Sequence, residues 1–118
     1  MSGSRAERVA ATTARMREIA AKFVLRSAAD LDAMRTDLSA LGDGDLAALS
    51  NIRHIAHRMC GTGATLGFEA LSDCARRIEQ LADRQAPDAL LAPASLREFA
   101  AEFETLATEL SRNRSAQI

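Results

Sequence analysis

With 118 residues, 47% hydrophobic and only 3% aromatic, the chain has the length of one domain, 1–118, and a core that Leu, Ile, Met and Ala must fill. A net charge of −1 with no evident basic stripe, and no Trp or Tyr to stack on bases, speaks against a nucleic-acid partner. No apolar run is long enough to span a bilayer, Met1 to Ser4 lead into Arg5 and Glu7 without a signal-peptide core, and two cysteines, Cys60 and Cys74, make no disulfide framework; the expectation is a cytoplasmic monomer with no membrane partner.

The periodicity is helical throughout, with flexible tails expected at 1–5 and 113–118. Met16, Ile19, Phe23 and Val24 mark a first helix from about Ala6 to Leu25. Ser27-Ala28-Ala29-Asp30 resembles a capping box with Asp in place of Glu, and predicts a break and a second helix carrying Leu31, Met34, Leu38 and Leu41. Gly42-Asp43-Gly44-Asp45 ends that helix and caps the next. The third runs from about Leu46 to Leu66, closed by Gly67, and the fourth carries Phe68, Leu71, Cys74, Ala75, Ile78 and Leu81 on one face. A loop is expected from Gln85 to Ala94, with Pro87 and Pro93 in it. Ser95-Leu96-Arg97-Glu98 reads as a capping box opening a fifth helix with Leu96, Phe99, Phe103, Leu106 and Leu110 inside. The fold class is all-α: an antiparallel four-helix bundle made by the last four segments, with an additional N-terminal helix packed at one end.

The third helix breaks the usual pattern. With His57 set at zero on a wheel of about 100° per residue, Leu49, Ile52, Ile55, Ala56, Met59, Gly63 and Leu66 form an arc centred roughly 140° away. That arc faces the core, so His57 points to solvent. Ser50, Gly61 and Ala64 lie within about 40° of it, and Arg53 at the edge of the same sector. Two glycines in a helix interior each cost up to about 1 kcal/mol relative to Ala. Gly63 has an inward, packing explanation; Gly61 has none, and small residues around an exposed imidazole leave room for another protein. The plain alternative on the wheel alone is a solvated surface histidine. His54, about 60° away, reads as a surface neighbour.

The stretch His57-Arg58-Met59-Cys60-Gly61-Thr62-Gly63-Ala64-Thr65-Leu66-Gly67 resembles the signature of histidine phosphotransfer (Hpt) domains, with His57, Met59, Gly61, Thr62 and Gly67 at matching positions. The resemblance spans about residues 16–84. It implies that His57 accepts a phosphoryl group through Nε2 from the aspartate of a response-regulator receiver domain and relays it to another receiver. A hybrid histidine kinase is a further partner so implied. Mg²⁺ is expected only on the partner receiver, with no cofactor or metal on this chain. Gly61 and Ala64 would open the docking face; Arg53 and Arg58 could supply positive charge. Cys60 departs from the family, which usually has Lys there beside the phosphohistidine. With no Gly-rich phosphate loop, the chain is expected to be a carrier with no ATP site of its own. Two other readings stay open. One is an Hpt-fold docking module without phosphotransfer, which would regulate a receiver or kinase by binding. The other is a metal site at His54, His57 and Cys60, disfavoured because His54 and Cys60 stand about 120° apart on the wheel.

Overall fold

The computed structural model describes residues 4–86 and 90–116, which form four helices: α1 (Arg5–Gly42), α2 (Ala47–Leu66), α3 (Glu69–Asp83) and α4 (Pro93–Ala116). No strand occurs among the described residues. Each helix packs on two neighbours, in the cyclic order α1, α2, α3, α4. Cross-contacts show that neighbours run antiparallel. Asp30 meets Arg58 and Asp37 meets Asn51 between α1 and α2. Arg77 meets Glu102 and Arg84 meets Glu98 between α3 and α4.

The first two expected helices are one. α1 runs unbroken for 38 residues, and the break foreseen at Ser27–Asp30 does not exist. Ser27 is 1% exposed and turned into the core, in line with Phe23, Leu31 and Met34, so its side chain caps nothing. Its neighbours Ala28 and Ala29 are strong helix formers, and neither Gly nor Pro interrupts the segment. The capping box in use is farther upstream. Ser4 Oγ accepts from the Glu7 amide at 3.1 Å, and the Ser4 amide donates to Glu7 Oε2 at 3.2 Å. Nor does the N-terminal segment pack at the end of the bundle: every residue from Arg5 to Ile19 is exposed. The overhang is about 22 Å long at 1.5 Å per residue, and it accounts for the 65 × 23 × 19 Å extents of the molecule.

The other boundaries follow local chemistry. Asp45 Oδ1 accepts from the Ala47 amide at 3.2 Å and so opens α2, as its position suggests. Beyond α2, Gly67 adopts φ 84°. The Phe68 amide donates to the Gly63 carbonyl at 2.8 Å and the Gly67 amide to that of Ala64 at 3.3 Å, a Schellman turn that needs glycine. α4 begins two residues before the expected box. Pro93 occupies its first turn, where a missing amide and a fixed φ suit a helix start. The Ala92 carbonyl there accepts from the Ser95 and Leu96 amides. Of the expected loop, residues 87–89, Pro87 included, lie outside the described residues. Of the segments expected to be flexible tails, Ser4 is the N-cap of α1, and Arg5 and residues 113–116 are helical.

The core is aliphatic with two aromatic pairs: Phe99 and Phe103 at 6.2 Å on α4, and Phe23 against Phe68 at 5.2 Å where the overhang leaves the bundle. Within it the Ser27 hydroxyl has no hydrogen-bond partner. A buried hydroxyl without a partner costs about 1–3 kcal/mol of desolvation. Ser27→Ala is therefore expected to raise stability by about 1 kcal/mol, seen as a rise of a few degrees in thermal midpoint. A fall in the midpoint would show that the hydroxyl is bonded in solution.

Candidate functional site

α2 presents the surface expected of it. Ile52, Ala56, Met59 and Gly63 are buried, while Ser50, His54, His57, Gly61 and Ala64 are exposed. The His57 side chain is 73% exposed. Its two flanks face different helices. Arg53 and Cys60 lie to one side of it around α2 and reach α3; Arg58 lies to the other and reaches α1.

The contact that organises the site comes from α3. His57 Nδ1 lies 2.5 Å from Glu79 Oε2, whose side chain is only 19% exposed. A carboxylate offers only acceptors, so this geometry selects the ring form in which Nδ1 bears a hydrogen to donate. The imidazole is then held in one tautomer and one orientation, with the Nε2 lone pair as its free end. On the wheel Glu79 stands next to the buried row of Ala75, Ile78 and Ala82, at the edge of α3 that meets α2. Above and below it the same edge makes two more contacts. Arg53 Nε lies 4.0 Å from Asp83 Oδ1. Cys60 Sγ lies 3.5 Å from Ser72 Oγ, whose hydroxyl donates to the Cys60 carbonyl at 2.9 Å.

This ladder places the other expected site residues. Cys60 is half-buried against α3, so a side chain there starts from the helix–helix seam rather than from open surface. Arg58 turns away from His57 and pairs with Asp30 of α1 at 3.3 Å. Gly61 is open: a Cβ built there meets nothing within 4 Å. At Gly63 a Cβ would meet Phe23 at 3.4 Å and Ser72 at 3.5 Å, in keeping with its inward position. Of the two arginines on α3, Arg77 leaves the site, bonding Glu102 of α4 at 3.1 Å. Arg76 shares the α2-facing edge and is held by Asp73 at 2.8 Å. Cys74 is a core residue, and burial pushes its thiol pKa up. Among the described residues no cluster of three His, Cys, Asp or Glu side chains converges as a metal site would require. No helix is long and apolar enough to cross a membrane.

Glu79 is the site residue that the sequence did not single out. The available signal was an acid one position past a core-facing Ile, on the helix after the histidine. Turning it into a partner for His57 requires the register of α3 against α2, which the period of a single helix does not contain.

Residues 18–112 match the family model described as Hpt domain. The match covers most of the chain, which belongs to this family of helical phosphocarrier modules of two-component phosphorelays. No curated protein and no solved structure is significantly similar to it.

The tautomer argument makes Glu79 testable. Glu79→Ala frees the ring, and any rate that depends on Nε2 as nucleophile is expected to fall by about tenfold or more, as when other ring-orienting partners are removed. Glu79→Gln keeps an acceptor for Nδ1–H and is expected to retain most of the rate. Nuclear magnetic resonance of the ring nitrogens should show the Nδ1–H form in the wild type and a mixture in Glu79→Ala.

Proposed function

We propose that the chain is a phosphoryl carrier in which Nε2 of His57 attacks the phosphorus of a receiver domain's aspartyl phosphate and later yields the group to a second receiver. The observation that carries this reading is the pairing of His57 Nδ1 with Glu79 in a side chain that is 73% exposed; in the neutral imidazole with its hydrogen on Nδ1, Nε2 is the nitrogen left for the nucleophile's part. In the forward step the Nε2–P bond forms as the acyl phosphate's P–O bond breaks, and the carboxylate leaves with that electron pair. The chain needs only to hold its nucleophile in place, since transfer of this kind depends mostly on positioning and charge stabilisation. The Mg²⁺ that such a transfer uses belongs to the receiver.

Apart from Glu79, the charges around the imidazole pair off. Arg53, Arg58 and Arg76 are each paired with a carboxylate, Asp83, Asp30 and Asp73. The Arg53 and Arg76 pairs are exposed and worth about 1 kcal/mol or less, so these two arginines can reorient when a phosphoryl group arrives, whereas Arg58 is held by the mostly buried Asp30. The docking face is the exposed strip of α2, with Gly61 and Ala64 allowing a partner close to the ring. We further propose the cytoplasm as the site of action and a monomer as the working unit.

Incubation with a phosphorylated receiver is expected to label the chain on histidine, with the acid lability of a phosphoramidate. His57→Gln should abolish the label and His54→Gln should keep it. Loss with His54→Gln alone would move the site by one turn; labelling of neither wild type nor variants by a panel of receivers would leave a docking module. The docking role of Gly61 has its own test. Gly61→Ala fills open space and gains up to about 1 kcal/mol of helix propensity, so it should be more stable than wild type. If the open surface there admits a receiver, the same variant should bind and receive phosphate more weakly. Unchanged binding would remove Gly61 from the docking face.

A further inference from the structure

The overhanging half of α1 has a charge pattern that the bundle does not explain. Residues 4–26 hold six cations, Arg5, Arg8, Arg15, Arg17, Lys22 and Arg26, against two anions, Glu7 and Glu18. This is a net +4 in a chain whose total is −1, so the remainder carries −5. The face of α1 that is buried in the bundle continues outward without a partner. Val9 lies in line with Ser27 and Met34, five or more turns away, and Thr13, Met16 and Ala20 fall within about 40° of the same line. Val9, Met16 and Ile19 are 57%, 49% and 41% exposed. The cations lie mostly to one side of this row: Arg5, Arg8, Arg26, Arg15 and Lys22 stand at about 40°, 100°, 100°, 120° and 140° from Val9 in one sense, and Arg17 at about 80° in the other. The two acids stand at the opposite pole, Glu7 at about 160° and Glu18 at about 180°. A helix with an apolar row, cations beside it and its acids diametrically opposite is arranged to lie on an anionic surface.

We propose that the α1 overhang binds the surface of an anionic lipid bilayer, lying in the headgroup layer without crossing it. The row has medium-sized side chains and no Trp or Tyr of the kind that anchors a protein interface. Its six cations are strung along the length of residues 5–26 rather than gathered at one point, matching a diffuse negative surface. Pairing the overhangs of two copies would set +4 against +4, and an overhang laid on the acidic bundle of a second copy is the dimer that light scattering detects in the test below. The acidic bundle, held off by the overhang, keeps His57 in the aqueous phase.

The test is sedimentation of the full chain with vesicles of phosphatidylcholine alone or mixed with phosphatidylglycerol. Binding is expected only to the mixed vesicles. It should weaken several-fold or more as ionic strength rises from about 0.01 to about 0.1 M and the Debye length falls from about 30 to about 10 Å. Arg15→Glu with Arg17→Glu, and separately Val9→Asp with Met16→Asp, should each lower binding about tenfold or more. Arg97→Glu, at the far end of the bundle where Leu96 nears Gly42, should not. The overhang variants lie outside the core, so unchanged thermal midpoints and unchanged circular dichroism show that the fold is intact. Equal binding to both vesicle types, no binding to either, or indifference to the overhang substitutions would overturn the proposal. So would a dimer, seen by light scattering, that the same substitutions dissolve, or salt-sensitive binding to a receiver domain through Arg15 and Arg17 without vesicle binding; either gives the overhang to a protein.

Discussion

The fit of α2 against α3 determines most of what this molecule can do. Ser72 is buried, and its hydroxyl donates to a carbonyl in the middle of the facing helix, that of Cys60, at 2.9 Å. Gly63 lets the Ser72 backbone and the Phe23 ring come close on the same seam. A buried donor that finds its acceptor only at one sliding position fixes the register between two helices more sharply than interchangeable Leu contacts do. Once that register is set, Glu79 arrives opposite His57 and Asp83 opposite Arg53 without any further device. A slip of one turn, about 5.4 Å, would strand the Ser72 hydroxyl and separate the imidazole from its carboxylate together.

The same seam explains why a reactive histidine can sit on open surface and still be held in place. An exposed ring ordinarily samples several rotamers and both tautomers. Here the anchor is the mostly buried member of the pair, Glu79, which is fixed by the core row beside it, while the ring is the exposed member. Access for a partner and order of the nucleophile are supplied by different helices, so neither is gained at the expense of the other. Gly61, which contributes nothing to packing, belongs to the access side; Gly63, two residues on, belongs to the order side.

Much of this was legible in the chain because it depends on one helix at a time. The outward position of His57, the burial of Met59 and the glycine turn at Gly67 all follow from a single wheel and one positive φ. What was not legible involves a choice between two uses of the same residues. Ser27-Ala28-Ala29-Asp30 reads equally as a cap or as a continuous helix with a buried serine. Only the neighbours on α2, which take Asp30 onto Arg58 and enclose Ser27, decide it. Ser95-Leu96-Arg97-Glu98 has the letters of a cap, but Pro93 opens the helix first. The partner of His57 and the direction of Cys60 needed inter-helix register. The overhang was hidden in another way: a net charge near zero averages a basic segment with an acidic body.

The absence of a joint in α1 has a consequence for how such a chain can change over time. The overhang and the bundle share one helix and one face, and every residue from 5 to 19 is exposed. Insertion or loss of seven residues at once, nearly two whole turns, would leave that face within about 20° of its present direction and every core contact untouched. The outer segment is thus a module without a boundary: it can lengthen, shorten or exchange its charges under selection of its own, while the seam that holds the histidine stays as it is.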